Sequence, residues 1–583
     1  MPENKKLLTS RIVTKNGAQY IEANGEIITG LAYVTYLRDK NRYEDFAVAG
    51  YKLFSTVVFF GKNKLNENSG LDFFSEGLFD GDEPNFSGFD RDIENILRVC
   101  PDAYIFPRVN TSPSEMWEAA HPDELCDIGS SIAPERRRTC LASDLYAEEV
   151  KKNLGLFIDH IESMPYADRI IGYQIAGGNT EEWIPYDGDV FINHGKTDGR
   201  AMAFIGKRSR EKYASYIKAN GLPDTDENFY NFHAQIVCDR IIEFCEFVKI
   251  KTGRRLITGT FYGYTYELAR KNGMHQQLER MLNSDSVDFY CSPVSYTYTR
   301  PLGIEHAYML PLNSIKLHGK LYFSENDTRT HLSKPLNDNP NYNLPIWFGH
   351  PKEGTLDVLK MHFARALING HAAWWFDMWG GWYGDGDYME FMRLAREISK
   401  NSSELSAESV AELAVFVDEA SLAKTHDNGL ARDVIGMSRR SIGLIGTPKD
   451  YYLTADFDLV KDKYKAFISL VPTETEGSKK IREYASENGI ALIEITENNF
   501  EITSAELRDF CKSAGVHIYS ERDAVIYANK SFVFIHTGED GEQRLSVPKD
   551  APLYDVFSSK SFEPSFEAPL GKSYLLKINT KFT

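Results

Sequence analysis

The stretch LYFSENDTRTH, residues 321–331, decides how this chain is read. Leu321, Tyr322 and Phe323 are a short apolar run of the kind that forms a buried strand, and Glu325, Asn326, Asp327, Arg329 and His331 gather where that strand should stop. In a parallel α/β fold the carboxyl ends of the strands face the ligand crevice, so a carboxylate there is presented to a substrate. Glu325 is therefore the first catalytic candidate. A plainer reading, an ordinary loop carrying an Asp327–Arg329 ion pair, is weighed against it by the rest of the chain.

Seven further runs resemble the first in being short, apolar and β-rich: residues 27–33, 53–60, 103–107, 170–176, 256–261, 287–291 and 372–376. Helical stretches separate them. Val237, Ile241, Phe244, Cys245 and Val248 draw one apolar face ended by Gly253, and a second helix runs from a Thr355 N-cap through Leu359, Phe363 and Leu367 to Gly370. Alternation of this kind predicts a (β/α)8 TIM barrel over residues 1–402. A doubly wound open sheet is the alternative, and the lack of a glycine-rich first turn counts against its dinucleotide-binding form. Two insertions, 61–89 and 183–208, would overhang the carboxyl face, the second with Tyr186, Asp187 and Asp189. After a polar boundary at 399–408, runs at 413–417, 466–470 and 490–493 with a helix at 477–488 predict a small α/β domain, 403–522. Short strands at 524–527, 532–535 and 573–578 predict a small β-sandwich, 523–583.

Composition narrows the function classes. A chain of 583 residues exceeds one core, and 42% hydrophobic with 26% charged residues is globular. With 84 Asp+Glu against 66 Lys+Arg, a net charge of -18, nucleic acid is excluded as a partner; the triplet Arg136–Arg138 reads as a solvated loop. No apolar run of 18 residues and no apolar leader segment occur, so a soluble protein without membrane partner or signal peptide is expected. The seven cysteines are scattered without a C-x-x-C pair, which fits reduced thiols and a cytoplasmic location. Cys126 and Cys140 are the weak candidates for a metal site. No metal and no cofactor is expected.

The fourth run ends in GYQIAGGNTEEW, residues 172–183, where Gly177 and Gly178 allow a sharp bend that aims Asn179, Glu181 and Glu182 into the barrel mouth. One carboxylate on strand four and another on strand seven is an arrangement suited to a general acid and a nucleophile across one glycosidic bond. After strand eight come Trp374, Trp375, Trp379 and Trp382, four of the seven tryptophans. Sugar rings stack on such faces; Trp374 reads equally well as core, while Trp375 and Trp379 are candidates for a sugar floor and Asp377 for a hydroxyl acceptor. At the end of strand three, Arg108 and Asn110 stand at the same level, and an arginine beside a carboxylate keeps it ionised. Tyr296 and Tyr298, after strand six, could hydrogen-bond that carboxylate.

These residues resemble the clan A retaining glycoside hydrolases, and the three-part layout resembles the family 42 β-galactosidases. Arg108-Val-Asn110 with Trp117 and residues 121–124, residues 414–420 and residues 447–453 are similar to that group. The resemblance implies a flavodoxin-like middle domain of trimerisation type, a homotrimer, and a retaining, exo-acting β-glycosidase acting on a small oligosaccharide or glycoside. It implies Glu325 as nucleophile, Glu182 or its neighbour Glu181 as acid/base, Asn179 on the 2-hydroxyl, and Arg108 and Tyr296 supporting the nucleophile. Family 42 has an adjacent Asn-Glu at strand four, whereas Thr180 and Glu181 separate Asn179 from Glu182 here. A sister family such as one cleaving β-mannosides, and a non-catalytic carbohydrate-binding protein, are the alternatives.

Overall fold

A computed structural model describes residues 7–62, 76–129, 137–178, 180–184, 204–297, 300–333, 348–547 and 553–577. Asn179, Tyr186, Asp187, Asp189 and Tyr298 lie outside the described residues, as do most of the two insertions.

Eight parallel strands close on themselves. They are, in barrel order, Leu31–Thr35, Leu53–Phe59, a third strand in two pieces (Tyr104–Ile105 and Arg108–Asn110), Gly172–Ala176, Ile257–Phe261, Phe289–Pro293, Leu321–Asn326 and Ala372–Phe376, with the eighth pairing the first. The barrel is the TIM barrel that the alternation predicts. Period two decides which side chains fill it. On strand three the inward residues are Phe106 and Arg108; on strand seven they are Phe323 and Glu325; on strand eight they are Trp374 and Phe376. A lower layer of Phe106, Phe289 and Phe323 is sealed by ring contacts at 5.4–6.1 Å. Gly259 makes room for it, since a Cβ there would stand 2.2 Å from the Phe289 ring. Outward residues serve the helices instead: Ser324 accepts from Arg365 at 3.0 Å on the helix Lys352–Asn369.

The first run divides in two. Residues 10–28 form an antiparallel sheet of Ser10–Lys15, Ala18–Ala23 and Glu26–Ile28, and the barrel strand starts only after Gly30. Its turns are Asn16-Gly17 and Asn24-Gly25, all four residues with positive φ, the two-residue geometry that matches strand twist. Ser10 ties this sheet to the amino ends of strands four and five through Ile171 and Ile257. The helix expected to begin at a Thr355 cap is capped four residues earlier, at Pro351, and the Thr355 hydroxyl donates back to the His350 carbonyl at 2.7 Å.

After the barrel, Leu413–Val417, Lys449–Leu453, Ala466–Leu470 and Ala491–Ile495 make a four-stranded parallel sheet in the order second, first, third, fourth. Lys449–Leu453 was not among the expected strands, because its Lys-Asp start hides a segment that is buried throughout. Antiparallel strands within 524–577 follow, in a five-stranded and a two-stranded sheet. They clasp the helix before strand eight: Asp357 accepts from the Ser573 amide and the Lys572 ammonium, and the Asn529 amide donates to Ile368. That helix is therefore buried on both sides, which explains its weak amphipathic pattern. Among the described residues no helix is long and apolar enough to cross a membrane, and no cluster of three or more metal-ligating side chains occurs. All seven cysteines are free and buried. Arg138 is buried in the strand Arg137–Thr139 and is not the solvated loop residue expected.

Candidate active site

Arg108 is the centre of the barrel mouth. Its side chain rises from strand three over the rings of Phe261, Trp374 and Phe376, with its guanidinium carbon 4.7, 5.2 and 5.1 Å from their centroids. The guanidinium is 1% exposed. It donates to Glu325 Oε2 on strand seven at 2.9 Å, to Glu181 Oε2 after strand four at 3.3 Å and to the Gln174 side-chain oxygen Oε1 at 3.3 Å. Carboxylates from two strands expected to face each other across the barrel thus meet on one cation. Such a fork is what arginine, and not lysine, supplies.

Glu325 has a second donor. The Trp374 indole N–H reaches the same oxygen at 3.0 Å, because Glu325 and Trp374 are register partners on neighbouring strands. Glu182 stands apart from the arginine and accepts from the Tyr264 hydroxyl at 3.0 Å. Burial pushes Glu182 up to about 7 and Glu325 up to about 8, the second opposed by Arg108 and raised further by Asp327 and Glu182. The pair therefore keeps a proton at neutral pH. Two N–H donors, one of them cationic, favour the charged form of Glu325, whereas Glu182 has only the hydroxyls of Thr180 and Tyr264 beside it, so the proton belongs on Glu182.

The segment carrying Glu181 and Glu182 is bent tightly. Glu181 and Trp183 have φ of 70° and 57°, left-handed values that cost a side-chain-bearing residue on the order of 1 kcal/mol each. The bend is held by the Trp183 amide on the Gly177 carbonyl at 2.9 Å and by the Trp183 indole on Thr260 Oγ1 at 3.0 Å. Gly177 is required because a Cβ there would lie 2.4 Å from the Trp183 ring. Gly177→Ala is expected to cost about 1–3 kcal/mol of stability, measured by denaturant unfolding with tryptophan fluorescence as the probe. Glu181 is fastened by Arg108 and the Tyr36 hydroxyl on Oε2, while its buried Oε1 has no hydrogen-bond partner among the described residues.

Other expected residues sort by strand parity. Trp375 points outward, is fully buried and donates to the Tyr51 hydroxyl at 2.8 Å, so it is core and not a sugar floor. Trp374, one residue earlier, points inward to Glu325. Asp377 accepts from the Tyr33 hydroxyl and from the Gly381 and Trp382 amides at 2.8–3.0 Å, so it organises the turn instead of waiting for a sugar hydroxyl. That turn presents Trp379, half-buried, with the Arg329 guanidinium 4.8 Å from its ring. Asn110 sits at the end of strand three with its side-chain amide nitrogen buried and unpaired among the described residues. Tyr296 was expected on Glu325; its hydroxyl instead donates to Asp327, which also pairs with Arg300 at 2.6 Å. Tyr36, Tyr264 and Trp374 are site residues that the sequence reading did not assign. Tyr36 and Tyr264 follow the ends of strands one and five, the position that should have marked them.

No protein-family model and no curated protein sequence matches the chain. Solved structures do match in fold. A β-galactosidase from Bacillus circulans sp. alkalophilus superposes with a TM-score of 0.60 at 10% identity, covering 94% of this chain and 99% of that one. A family 42 β-galactosidase from G. stearothermophilus gives 0.60 at 10% identity, covering 94% and 98%. A family 42 exo-carrageenase from Bacteroides ovatus gives 0.58 at 13% identity, covering 99% and 86%. Over nearly its whole length, the chain thus has the fold of these family 42 glycoside hydrolases.

Proposed function

We propose that the protein is a retaining, exo-acting β-glycosidase that removes a terminal β-linked hexose by double displacement. The observation that carries this reading is the single buried arginine bonded to carboxylates of strands four and seven, beside a third carboxyl, Glu182, that burial pushes up to about 7. Glu325, ionised by Arg108 and the Trp374 N–H, attacks the anomeric carbon while Glu182 protonates the departing oxygen. Glu182, now a carboxylate, takes a proton from water as that water displaces Glu325 from the sugar. Glu181 is held by Arg108 and Tyr36 and is not the acid; its Oε1 and the Asn110 amide, unpaired among the described residues, are available to the hydroxyls next to the anomeric carbon, and Asn179 keeps the 2-hydroxyl role that the resemblance implies. Trp379 is the sugar floor. No cofactor enters the scheme.

β-Galactoside is the preferred substrate because structural relatives are named β-galactosidases, and a β-mannoside is the second choice. Hydrolysis of a panel of nitrophenyl β-glycosides, extended with carrageenan oligosaccharides, tests this. Cleavage of one member supports the reading; sugar binding without any cleavage would favour a carbohydrate-binding protein. The four-stranded α/β unit is read as the assembly module of a homotrimer, expected by light scattering at three times 66.3 kDa.

The pH dependence has a definite sign. Activity needs one proton on the coupled pair, held by Glu182 while Glu325 is ionised, so kcat/KM is expected to fall as pH rises past about 8 and that last proton leaves. Stability follows the same groups. Glu182 and Glu325 have folded-state values above that of free glutamate, so the stability they contribute is full below about pH 4.3 and is lost as pH rises to 7–8. Glu182→Gln is therefore expected to be inactive yet more stable than wild type at pH 8, by on the order of 1–2 kcal/mol in urea unfolding.

A further inference from the structure

Arg439 belongs to the α/β unit, in the helix Arg439–Gly443, yet its side chain ends among the segments that follow barrel strands five and six. It is 2% exposed. One nitrogen donates to the Tyr308 carbonyl at 2.6 Å; the other reaches Glu267 Oε2 at 2.9 Å and the Ser295 and Thr297 hydroxyl oxygens at 3.2 Å. A π-helical turn, Arg432–Met437, immediately precedes it, an irregularity that re-aims the residues after it.

Glu267 passes the constraint on. It accepts from the Ser295 hydroxyl at 2.6 Å, the Tyr296 amide at 3.0 Å and the Thr297 hydroxyl at 3.2 Å, so the segment leaving strand six is gathered on one carboxylate that Arg439 neutralises. Tyr296 is thereby fixed at its backbone. Its other end donates to Asp327, two residues beyond Glu325, and the Arg300 guanidinium lies 4.1 Å over its ring while pairing with the same Asp327. Arg439, Glu267, Tyr296 and Asp327 are a continuous chain of partly buried hydrogen-bonded residues from the α/β unit to the strand-seven loop.

We infer that Arg439 is a positioning residue for the active site: through Glu267 it sets Tyr296, and through Tyr296 the Asp327 segment that carries Glu325. The α/β unit is then part of what shapes the catalytic mouth and not only a module for assembly. The inference rests on the glycosidase reading. A residue that acts on chemistry through geometry lowers kcat with little change in KM, since a misplacement of about 1 Å costs up to about 10²-fold.

The test is a double-mutant cycle on the full chain with the best nitrophenyl glycoside, with hexose affinity measured by calorimetry in parallel. Arg439→Lys and Tyr296→Phe are each expected to lower kcat about 10-fold with KM within about twofold, and the double variant to be no worse than the poorer single. Glu267→Gln serves as the second entry to the same chain if Arg439→Lys does not fold, with the same non-additivity against Tyr296→Phe. Effects that multiply, or a kcat unchanged in Arg439→Lys, would overturn the inference while leaving the glycosidase reading intact. A wild type that neither cleaves nor binds any sugar would remove both.

Discussion

Glu325→Ala is expected to lower kcat/KM by about 10⁵-fold, and azide is expected to restore part of it as an inverted glycosyl azide. The size follows from what the residue does. Without Glu325 there is no covalent intermediate, and the remaining groups, Arg108, Glu182 and the Trp374 N–H, stabilise a charge that no protein atom receives. The cavity left by the side chain admits a small anion beside Arg108, which explains the rescue. Stability should move the other way, because a buried carboxylate whose burial pushes it up to about 8 has been removed. Loss of activity with stability kept or raised separates a chemical role from a structural one.

Arg108→Met should be the most damaging change to the fold at the mouth. Arg108 is surrounded by three aromatic rings and two carboxylates, and its charge is the only one bonded to both Glu181 and Glu325 among the described residues. Removing it leaves carboxylates in a nearly dry site, a loss of about 3–5 kcal/mol. They escape that cost by taking up protons, and a protonated Glu325 is no nucleophile, so kcat/KM should fall by roughly 10³-fold or more at pH 7. The residual activity should rise with pH, opposite to wild type. Arg108→Lys keeps the charge but not the fork, and should lie between the two.

The barrel was legible in sequence because its signals are local. Each strand is a short apolar run with a polar residue just past its end, and residues 321–331 show both. The hairpin turns Asn16-Gly17 and Asn24-Gly25 were missed although Asn-Gly is their usual signal, and the apolar residues 27–33 invited a single strand across Gly30. The site was half legible. Glu182, Glu325 and Arg108 announce themselves as charges at strand ends, whereas the parity of Trp374 and Trp375 depends on the register between strands seven and eight, which adjacent tryptophans do not reveal. The same holds for Asp377, whose partners are backbone amides of a turn it forms itself, and for Tyr296, whose target shifts from Glu325 to Asp327 by the direction of one loop. The Arg439–Glu267 contact joins residues 172 positions apart and has no sequence signal at all.

The measurement that tests the central claim most directly is covalent trapping. Incubation with a 2-deoxy-2-fluoro β-glycoside of the preferred sugar, carrying a good leaving group, should add one fluoroglycosyl unit to the intact protein, and peptide mass spectrometry should locate it on Glu325. A label on any other carboxylate, or steady cleavage of the parent substrate with no trapped intermediate and an inverted product, would contradict the account.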